Sequence, residues 1–254
     1  MKVIKRISIV GTGNVAYHLG RALLKNNFQV DGVWGRTKAN AQKLARDLNT
    51  ISFDQLIQLP ENSDLIIICV SDGAIQEIVE KIPSSFALAY TSGSISLNDL
   101  PKRDNIGVFY PLQTFTKSRD ISFDTIPVLI ESKNDQFAES LKKCASKLSR
   151  TVRFTNSEER FQIHIAAVMV NNFTNHLYHL ADLHMKKHQL PFDILKPLII
   201  ETAEKIKDIS PIDAQTGPAK RNDLSVIENH LNELSDETKE IYQLLSKSIL
   251  KNNS

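Results

Sequence analysis

Ile7-Ser-Ile-Val-Gly-Thr-Gly-Asn-Val-Ala16 is the stretch of sequence that decides the fold of this chain. A short apolar run ends at Val10 and is followed by Gly11, Gly13 and Ala16. Glycine at position 11 permits a tight turn, glycine at 13 lets the backbone approach a pyrophosphate, and a small residue at 16 lets a helix pack closely on a sheet. The stretch therefore predicts a dinucleotide-binding loop; the alternative is an ordinary strand-to-helix turn without a ligand.

The residues after Val10 are predicted to open a helix whose positive end faces the phosphates of the cofactor. Backbone N–H groups at a helix N-terminus bind anions because they have no partner within the helix. The predicted cofactor contacts in this loop are Gly11, Thr12, Gly13, Asn14 and Val15.

The first part of the chain, to about residue 154, alternates short apolar runs with segments of helical periodicity. This alternation is typical of βαβ units on a parallel sheet. The run from Leu65 to Val70 is apolar at every position, which predicts a central strand covered on both faces. We expect an α/β fold with a Rossmann-type, mostly parallel sheet. The predicted strands are 7–10, 28–34, 65–70, 87–90, 107–110 and 128–130, and the predicted helices are 15–25, 39–48, 74–81 and 136–148.

The rest of the chain contains no alternating β-branched run and few helix breakers, so a second, all-helical C-terminal domain is predicted. Asn156 or Ser157 is suited to cap its first helix, which we expect to run from Glu158 to Gln189. The predicted domains are 1–155, which binds the cofactor, and 156–254, which supplies the substrate site and the dimer contacts.

The end of the second strand, Trp34-Gly-Arg-Thr-Lys38, indicates which nucleotide binds. An acidic residue there would bind the 2′-hydroxyl of NAD, whereas an arginine accommodates the 2′-phosphate of NADP. Arg36 and Thr37 offer a guanidinium and a hydroxyl, and Asp31 falls in the middle of the strand rather than at its end. The sequence favours NADP(H); the alternative is a solvated Arg36 with Thr37 capping the next helix.

Further loops follow the carboxyl ends of later strands, where ligands bind in sheets of this kind. Val70 and Ser71 follow the central strand, and Thr91 and Ser92 follow the next one. We predict cofactor contacts at all four positions, although serine and threonine are equally suited to helix caps and turns. Gln113, in Tyr110-Pro-Leu-Gln-Thr-Phe115, is a predicted substrate contact.

The predicted long helix carries a polar stripe on an otherwise apolar surface. At 100° per residue, five polar side chains fall within an arc of roughly 80°. They are His164, Asn171, Asn175, His179 and Asp182. Hydride transfer to a carbonyl or imine needs a proton donor and a polar group that orients the substrate. We predict catalytic roles for His164, Asn171 and Asn175; the alternative is a hydrogen-bonded interface between helices or subunits.

The segment Gly217-Pro-Ala-Lys-Arg-Asn-Asp223 precedes two predicted final helices, 224–234 and 236–250. Lys220 and Arg221 are predicted to bind an anionic substrate or a phosphate of the cofactor, and Asp223 is suited to cap the following helix; the alternative is a capped loop with exposed basic side chains. No metal site is predicted, because the histidines lack a second anchoring segment with metal-ligand spacing.

The composition restricts the class of protein. Lys and Arg number 31 against 29 Asp and Glu, a net charge of +2 that is spread along the chain and argues against nucleic-acid binding. The two cysteines fit a reducing compartment, and the apolar run at the N-terminus is too short for a signal peptide or a membrane span. We expect a soluble, cytoplasmic protein, and a homodimer formed through the apolar helices.

These motifs taken together resemble a family of predicted bacterial oxidoreductases that join a Rossmann-like NADP-binding domain to a helical C-terminal domain of unassigned function. The motifs are Gly11-x-Gly13-x-x-Ala16, Tyr110–Phe115, His164-x-Ala-Ala-Val-x-x-Asn-Asn-Phe-x-Asn175 and Thr216-Gly-Pro-x-x-Arg-Asn-Asp223. More distantly the architecture is similar to ketopantoate reductase, pyrroline-5-carboxylate reductase and the 6-phosphogluconate and β-hydroxyacid dehydrogenases. The resemblance implies a reductase with its active site between two domains.

The chain departs from those reductases at one position. Ketopantoate reductases and β-hydroxyacid dehydrogenases carry a lysine one turn before an asparagine, and here Ala167 stands one turn before Asn171. His164 is the nearest proton donor. We therefore predict hydride transfer between NADP(H) and a small, anionic carbonyl or imine substrate; a non-catalytic NADP(H)-binding sensor or interaction protein is the alternative.

Overall fold

The computed structural model describes residues 3–252, which divide into two compact units, one ending at Asn172 and the other beginning at Phe173. The first unit is built on a sheet with the strand order β3-β2-β1-β4-β5-β6-β7-β8. Only the β6–β7 pair is antiparallel among the strands described. The strands are β1 Arg6–Val10, β2 Gln29–Trp34, β3 Ser52–Phe53, β4 Leu65–Ile68, β5 Leu88–Tyr90, β6 Ile106–Pro111, β7 Val128–Ser132 and β8 Val152–Phe154. The helices that cross between them are α1 Asn14–Lys25, α2 Lys38–Asp47, α3 Asp72–Lys81 and α4 Asp135–Ala145.

The central strand β4 is buried at every position, as its uniformly apolar sequence predicts. Its side chains alternate between the two faces of the sheet. Leu65 and Ile67 belong to the core under α1, α2 and α4, whereas Ile66 and Ile68 belong to the core under α3. Burying a leucine or isoleucine side chain contributes about 1.5–3 kcal/mol, so β4 holds both layers onto the sheet.

Three features of the sheet differ from the sequence-based expectation. Two strands, β3 and β8, were not predicted. They are two and three residues long, and runs this short show no measurable periodicity. β7 pairs with β6 in the antiparallel sense, with Phe109 opposite Ile130. Hydrophobic patterns indicate which face of a strand is buried but not the direction of its neighbour, so this reversal was not predictable.

The predicted long helix begins where expected but is not a regular α-helix throughout. Asn156 caps α5, Ser157–Ala167, in a capping box with Glu159. Residues Val168–Phe173 are π-helical, and α6 then runs over Thr174–Lys187. Pi-helical segments are rare and occur frequently at functional sites. The first compact unit ends at Asn172 and therefore includes α5. The proposed domain boundary between residues 155 and 156 stays a prediction.

The second unit is helical over most of its described length. After α6 it contains α7 Lys196–Glu204, α8 Leu224–Glu233 and α9 Asp236–Lys251. The last two agree closely with the predicted helices, and Asp223 caps α8 by accepting a hydrogen bond from the N–H of Val226. Within residues 3–252, none of the helices has the length and apolar character needed to cross a membrane.

Candidate functional site

The glycine-rich loop has the geometry that the first motif predicts. Gly11 has a φ of +127°, and a Cβ atom there would lie 2.1 Å from the carbonyl oxygen of Cys69. A side chain at this position is therefore excluded by both backbone conformation and space. A Cβ atom at Gly13 would have no neighbour within 4 Å, so this glycine keeps the space beside the loop open.

The N-terminus of α1 is arranged as an anion-binding site. Its N-cap is Gly13, no side chain caps it, and its first turn contains no acidic residue. The first N–H groups of the helix are therefore available to a ligand, and the helix dipole favours a negative charge there. The open space at Gly13 and the uncapped helix fit a pyrophosphate group.

One cavity of about 450 Å³ lies between this loop and the ends of β2 and β4. Six of the predicted cofactor contacts come together in its lining: Gly11, Thr12, Gly13, Arg36, Val70 and Ser71. The guanidinium of Arg36 is exposed and has no hydrogen-bond or ion-pair partner among residues 3–252. It is a free cation at the position where the 2′-phosphate is expected.

Arg36 is the principal candidate to bind the 2′-phosphate, because the charged residues near it already have partners. Thr37 is the N-cap of α2, but its side chain makes no capping hydrogen bond. Lys38 instead donates to the carboxylate of Asp54 at 2.8 Å. Asp31 lies in mid-strand, as expected, and is 8% exposed. Its carboxylate pairs with Arg6 at 2.8 Å and accepts from Ser63 at 2.8 Å, so it is already bound within the protein.

A second cavity, of about 780 Å³, lies wholly within the first unit. It is formed at the carboxyl edge of the sheet and is closed on one side by α5 and the π-helical segment. Its lining includes nine residues singled out from the sequence: Gly13, Asn14, Val15, Val70, Ser71, Thr91, Gln113, His164 and Asn171. The structure therefore brings the predicted proton donor to the cavity that the phosphate loop also lines.

Ser92 has a different environment from its neighbour Thr91. Ser92 is 4% exposed, and its hydroxyl oxygen accepts hydrogen bonds from the N–H groups of Ser94 and Ile95, each at 3.1 Å. Its side chain holds the shape of the loop, as the alternative interpretation of a turn residue anticipated. A cofactor contact by Ser92 stays a prediction.

The helix that carries His164 is anchored one turn earlier. Arg160 has no exposed surface, its guanidinium pairs with the carboxylate of Glu131 on β7, and it also donates to the carbonyl oxygen of Ile95. Burial lowers the pKa of this guanidinium. The pair joins α5 to the sheet and to the loop after β5, and thereby positions His164 over the cavity.

His164 contacts two residues that sequence reasoning did not select. Nδ1 of His164 lies 3.1 Å from the hydroxyl oxygen of Tyr110, and the two rings meet edge to face with centroids 6.1 Å apart. A Cβ atom at Gly93 would lie 2.6 Å from Nδ1 of His164 and 2.9 Å from Cζ of Tyr110. Gly93 thus leaves the space in which the histidine and the tyrosine meet.

The phenol of Tyr110 is neutral over an extended pH range. Burial raises its pKa, and the negative charge of Asp72 raises it further. Asp72 lies in the first turn of α3, accepts a hydrogen bond from the hydroxyl of Ser94 and lines the cavity. The position of Tyr110 at the end of β6, beside the loops after β4 and β5, was the sequence signal that could have identified it.

The segment after β6 is fastened onto the phosphate loop by three contacts. The side-chain amide of Asn14 donates to the carbonyl oxygen of Phe115 at 2.7 Å, and Nε2 of His18 lies 3.0 Å from the carbonyl oxygen of Thr116. Lys117 donates to the carbonyl oxygen of Thr12 at 3.0 Å. Lys117 thus adds a positive charge beside the loop, and no local sequence pattern indicated it.

The π-helical segment changes the predicted polar stripe. The arc of roughly 80° assumed 100° per residue, but a π-helical turn contains more than 3.6 residues, so the angles do not hold beyond Val168. Asn171 lies in this segment and lines the cavity. Asn175, His179 and Asp182 lie on α6 in the second unit, where Asp182 pairs with Lys186 at 2.6 Å.

The charges of the cavity bear on the predicted substrate. Of the described residues that line it, Asp72 alone is charged, and most of the others are apolar or small. The predicted cationic contacts, Lys220 and Arg221, are exposed residues of the second unit, in the turn between Gly217, with a φ of +101°, and the cap of α8. Residues 3–252 contain no group of three or more His, Cys, Asp or Glu side chains arranged for a metal ion.

The fold and the loop define a class of protein, and the sequence matches two families of domains. Residues 5–86 match the family described as "Oxidoreductase family, NAD-binding Rossmann fold", and residues 126–249 match a domain of unknown function, DUF2520. The first match confirms the predicted Rossmann-type dinucleotide-binding domain. No curated protein matches the chain.

Among solved structures, a protein of Bacteroides fragilis described as a "putative NADP oxidoreductase" is 40% identical to this chain. The match covers 97% of this chain and 98% of that chain with a TM-score of 0.89. The chain belongs to the same family as this Bacteroides fragilis protein. The predicted nicotinamide cofactor of the NADP(H) type and the predicted resemblance to NADP-binding oxidoreductases are thereby confirmed.

Two more distant structures share the fold. The 1-pyrroline-5-carboxylate reductase of Streptococcus pyogenes is 12% identical with a TM-score of 0.67, covering 98% of this chain and 97% of that chain. A reductive aminase of Aspergillus terreus, in complex with NADPH and ethyl levulinate, is 15% identical with a TM-score of 0.69, covering 98% and 94%. At these identities the likeness concerns the fold alone.

Proposed function

We propose that this protein is an NADPH-dependent reductase that transfers a hydride to a small carbonyl or imine compound. The observation that carries the proposal is the common cavity of His164 and the Gly13 end of the phosphate loop. A nicotinamide cofactor supplies the hydride when bound. The residues of the chain bind it, orient the substrate and supply the proton.

Cofactor binding is assigned to the two neighbouring cavities. The free N–H groups at the start of α1 bind the pyrophosphate, and the unpartnered guanidinium of Arg36 binds the 2′-phosphate. Thr37 supports that phosphate through its hydroxyl. Val70, Ser71 and Thr91 line the cavity that contains His164 and are proposed as further cofactor contacts, together with Ser92 from the same loop. Equal affinity of the protein for NADH and NADPH would contradict the assignment to Arg36.

Proton transfer is assigned to His164. In its charged form the imidazole would donate the Nε2 proton to the carbonyl oxygen or imine nitrogen of the substrate, the atom that gains negative charge on reduction. The amide of Asn171 and the side chain of Gln113 line the same cavity and orient the polar end of the substrate. Asn175 is proposed as a further orienting group, and Lys220 and Arg221 as the contacts of an anionic substituent.

The proposal is tested by following NADPH oxidation with a panel of 2-keto acids, neutral ketones and cyclic imines. His164→Ala is expected to lower turnover about 10²-fold or more with NADPH affinity retained. His176→Ala is the control, because His176 is an exposed histidine of the second unit. An unchanged rate in His164→Ala would remove His164 from the mechanism. Tight NADPH binding without turnover on any compound would favour the sensor function.

A homodimer is part of the proposal. Many large apolar side chains of the second unit are exposed, among them Leu198 at 63% and Leu244 at 69%. We propose that these side chains are covered by a second copy of the chain, because large exposed apolar areas mark protein interfaces. Light scattering is expected to give twice the mass of the chain, and a monomer at micromolar concentration would end this part of the proposal.

A cytoplasmic location is proposed on the two reduced, buried cysteines.

A further inference from the structure

The contact between His164 and Tyr110 has a chemical consequence for the ring of the histidine. An imidazole has two nitrogens, and in the neutral ring one carries a proton while the other accepts. The partner of one nitrogen decides which nitrogen is the donor. In this protein the hydroxyl of Tyr110 lies 3.1 Å from Nδ1, and Nε2 has no partner among residues 3–252.

We propose that Tyr110 is a positioning residue that donates its hydroxyl proton to Nδ1 of His164 and so keeps the neutral ring protonated at Nε2, the nitrogen available to the cavity. This inference rests on the proposed function only in the role that it gives to Nε2. The tautomer itself is a property of the protein alone.

The hydrogen-bond partners of Tyr110 support this direction of donation. His164 is the partner that the structure gives for its hydroxyl within the described chain. If Nδ1 carried the proton and donated it, the half-buried hydroxyl would keep a proton without an acceptor, which is unfavourable. The raised pKa of Tyr110 also keeps the phenol protonated and able to donate.

Gly93 fixes which edge of the ring faces the tyrosine. An added Cβ atom would collide with Nδ1 and Cγ of His164, at 2.6 and 2.8 Å, and with Tyr110. The Nδ1–Cγ edge therefore packs against the backbone at Gly93, and Nε2, on the far side of Cε1 from Nδ1, has no partner in the described chain. Any side chain at position 93 would separate the two partners.

The same hydroxyl can serve the charged ring. When His164 is protonated at both nitrogens, the oxygen of Tyr110 accepts a hydrogen bond from Nδ1–H, and the proton of the hydroxyl then has no acceptor in the described chain. Nε2 then carries a proton in both the resting neutral ring and the charged ring. Tyr110 thus keeps a proton on the nitrogen to which the proposed function assigns proton transfer, and it acts through His164.

The test is nitrogen-15 NMR of protein labelled in its histidine rings, without substrate, at a pH where the ring signals have reached their alkaline limit. His164→Gln identifies the signals of His164. In the native protein we expect Nε2 to be protonated and Nδ1 to show the shift of a hydrogen-bond acceptor. In Tyr110→Phe, Nδ1 is expected to move toward the shift of a nitrogen without a hydrogen bond. Gly93→Ala is expected to have the same effect.

Tyr242→Phe provides the matched control, because the hydroxyl of Tyr242 lies 2.7 Å from Nδ1 of His230 in the second unit. It should move the signals of His230 and leave those of His164 in place. A protonated Nδ1 in the native protein would overturn the proposal, as would unchanged His164 signals in a folded Tyr110→Phe variant. If Tyr110→Phe does not fold, the nitrogen-15 shifts of His164 in the native protein and in Gly93→Ala still test the proposal.

Failure of the proposed reductase function gives a different result from failure of the proposed role of Tyr110. The expected tautomer combined with no reductase activity would contradict the enzyme and leave the role of Tyr110 intact. If a substrate is found, Tyr110→Phe should lower kcat about tenfold, which corresponds to the loss of one hydrogen bond, with the Kd for NADPH unchanged. The reverse pattern, a weaker Kd with unchanged kcat, would assign Tyr110 to the cofactor instead.

Discussion

The guanidinium of Arg160, which has no exposed surface, pairs with the carboxylate of Glu131, and this pair fastens α5 to β7. The other carboxylate oxygen of Glu131 accepts from the hydroxyl of Ser157 at 2.6 Å, at the first residue of the same helix. Both ends of the first turn of α5 are therefore tied to one acidic side chain. His164 lies one turn further on.

Glu131→Gln is expected to lower the free energy of unfolding by about 3–5 kcal/mol, because it leaves the buried charge of Arg160 without a counterion. Urea denaturation followed by circular dichroism measures the change. Glu158→Gln, at an exposed position of the first turn, serves as the control and should cost less than about 0.5 kcal/mol. Combining Glu131→Gln with Arg160→Met should recover part of the loss; strictly additive losses would argue against a direct pairing.

Gly11 and Gly13 are expected to respond differently to the same substitution. Gly11→Ala places a Cβ atom against the backbone of Cys69 in a left-handed conformation, so a fall in Tm and loss of cofactor binding are expected. Gly13→Ala meets no neighbour, so Tm should change little while NADPH affinity falls. Calorimetric titration and thermal unfolding separate the two effects. A Gly13→Ala variant with native affinity would contradict the placement of the pyrophosphate.

Arg36→Ala is expected to weaken NADPH binding about 10- to 100-fold and to leave NADH binding unchanged, because the charge-assisted hydrogen bonds go to the 2′-phosphate alone. Fluorescence titration with both cofactors measures the ratio. Arg46→Ala removes an equal charge from an exposed position on α2 and should change neither affinity. An equal loss for both cofactors would place Arg36 elsewhere on the nucleotide.

Both cysteines are expected to resist alkylation in the folded protein. Burial raises the pKa of Cys69 and of Cys144 to about 12, and the thiolate is the reactive form. Labelling at neutral pH should therefore follow unfolding, which mass spectrometry can quantify. Rapid labelling of either residue in native protein would show that it is accessible.

The same burial predicts a loss of stability at alkaline pH. The folded-state pKa of each thiol lies above the ordinary pKa of a cysteine in an unfolded chain. The stabilising contribution is complete below the unfolded pKa and is lost as the pH rises toward about 12. The double variant Cys69→Ala, Cys144→Ala should show a shallower alkaline decline in the free energy of unfolding, and an unchanged decline would assign it to other groups.

The sequence by itself determined the features that depend on neighbours along the chain. The phosphate loop is defined by the spacing of Gly11, Gly13 and Ala16, and the fully buried β4 by six apolar residues in succession. The caps at Asn156 and Asp223 follow from side chains that bond backbone groups three residues away. Such features are local, because periodicity and capping act over one or two turns.

Only the tertiary structure decided the contacts between distant segments. Tyr110 and His164 are 54 positions apart, and they meet because β6 lies beside β5 and Arg160 ties α5 to β7 and to the loop after β5. Lys117 likewise contacts the phosphate loop across 105 positions, because the segment after β6 folds back onto that loop. The polar stripe was predicted on a regular helix, and the π-helical turns at Val168–Phe173 altered its geometry. Which strands are neighbours, and in which direction they run, depends on the packing of the whole sheet rather than on any one segment.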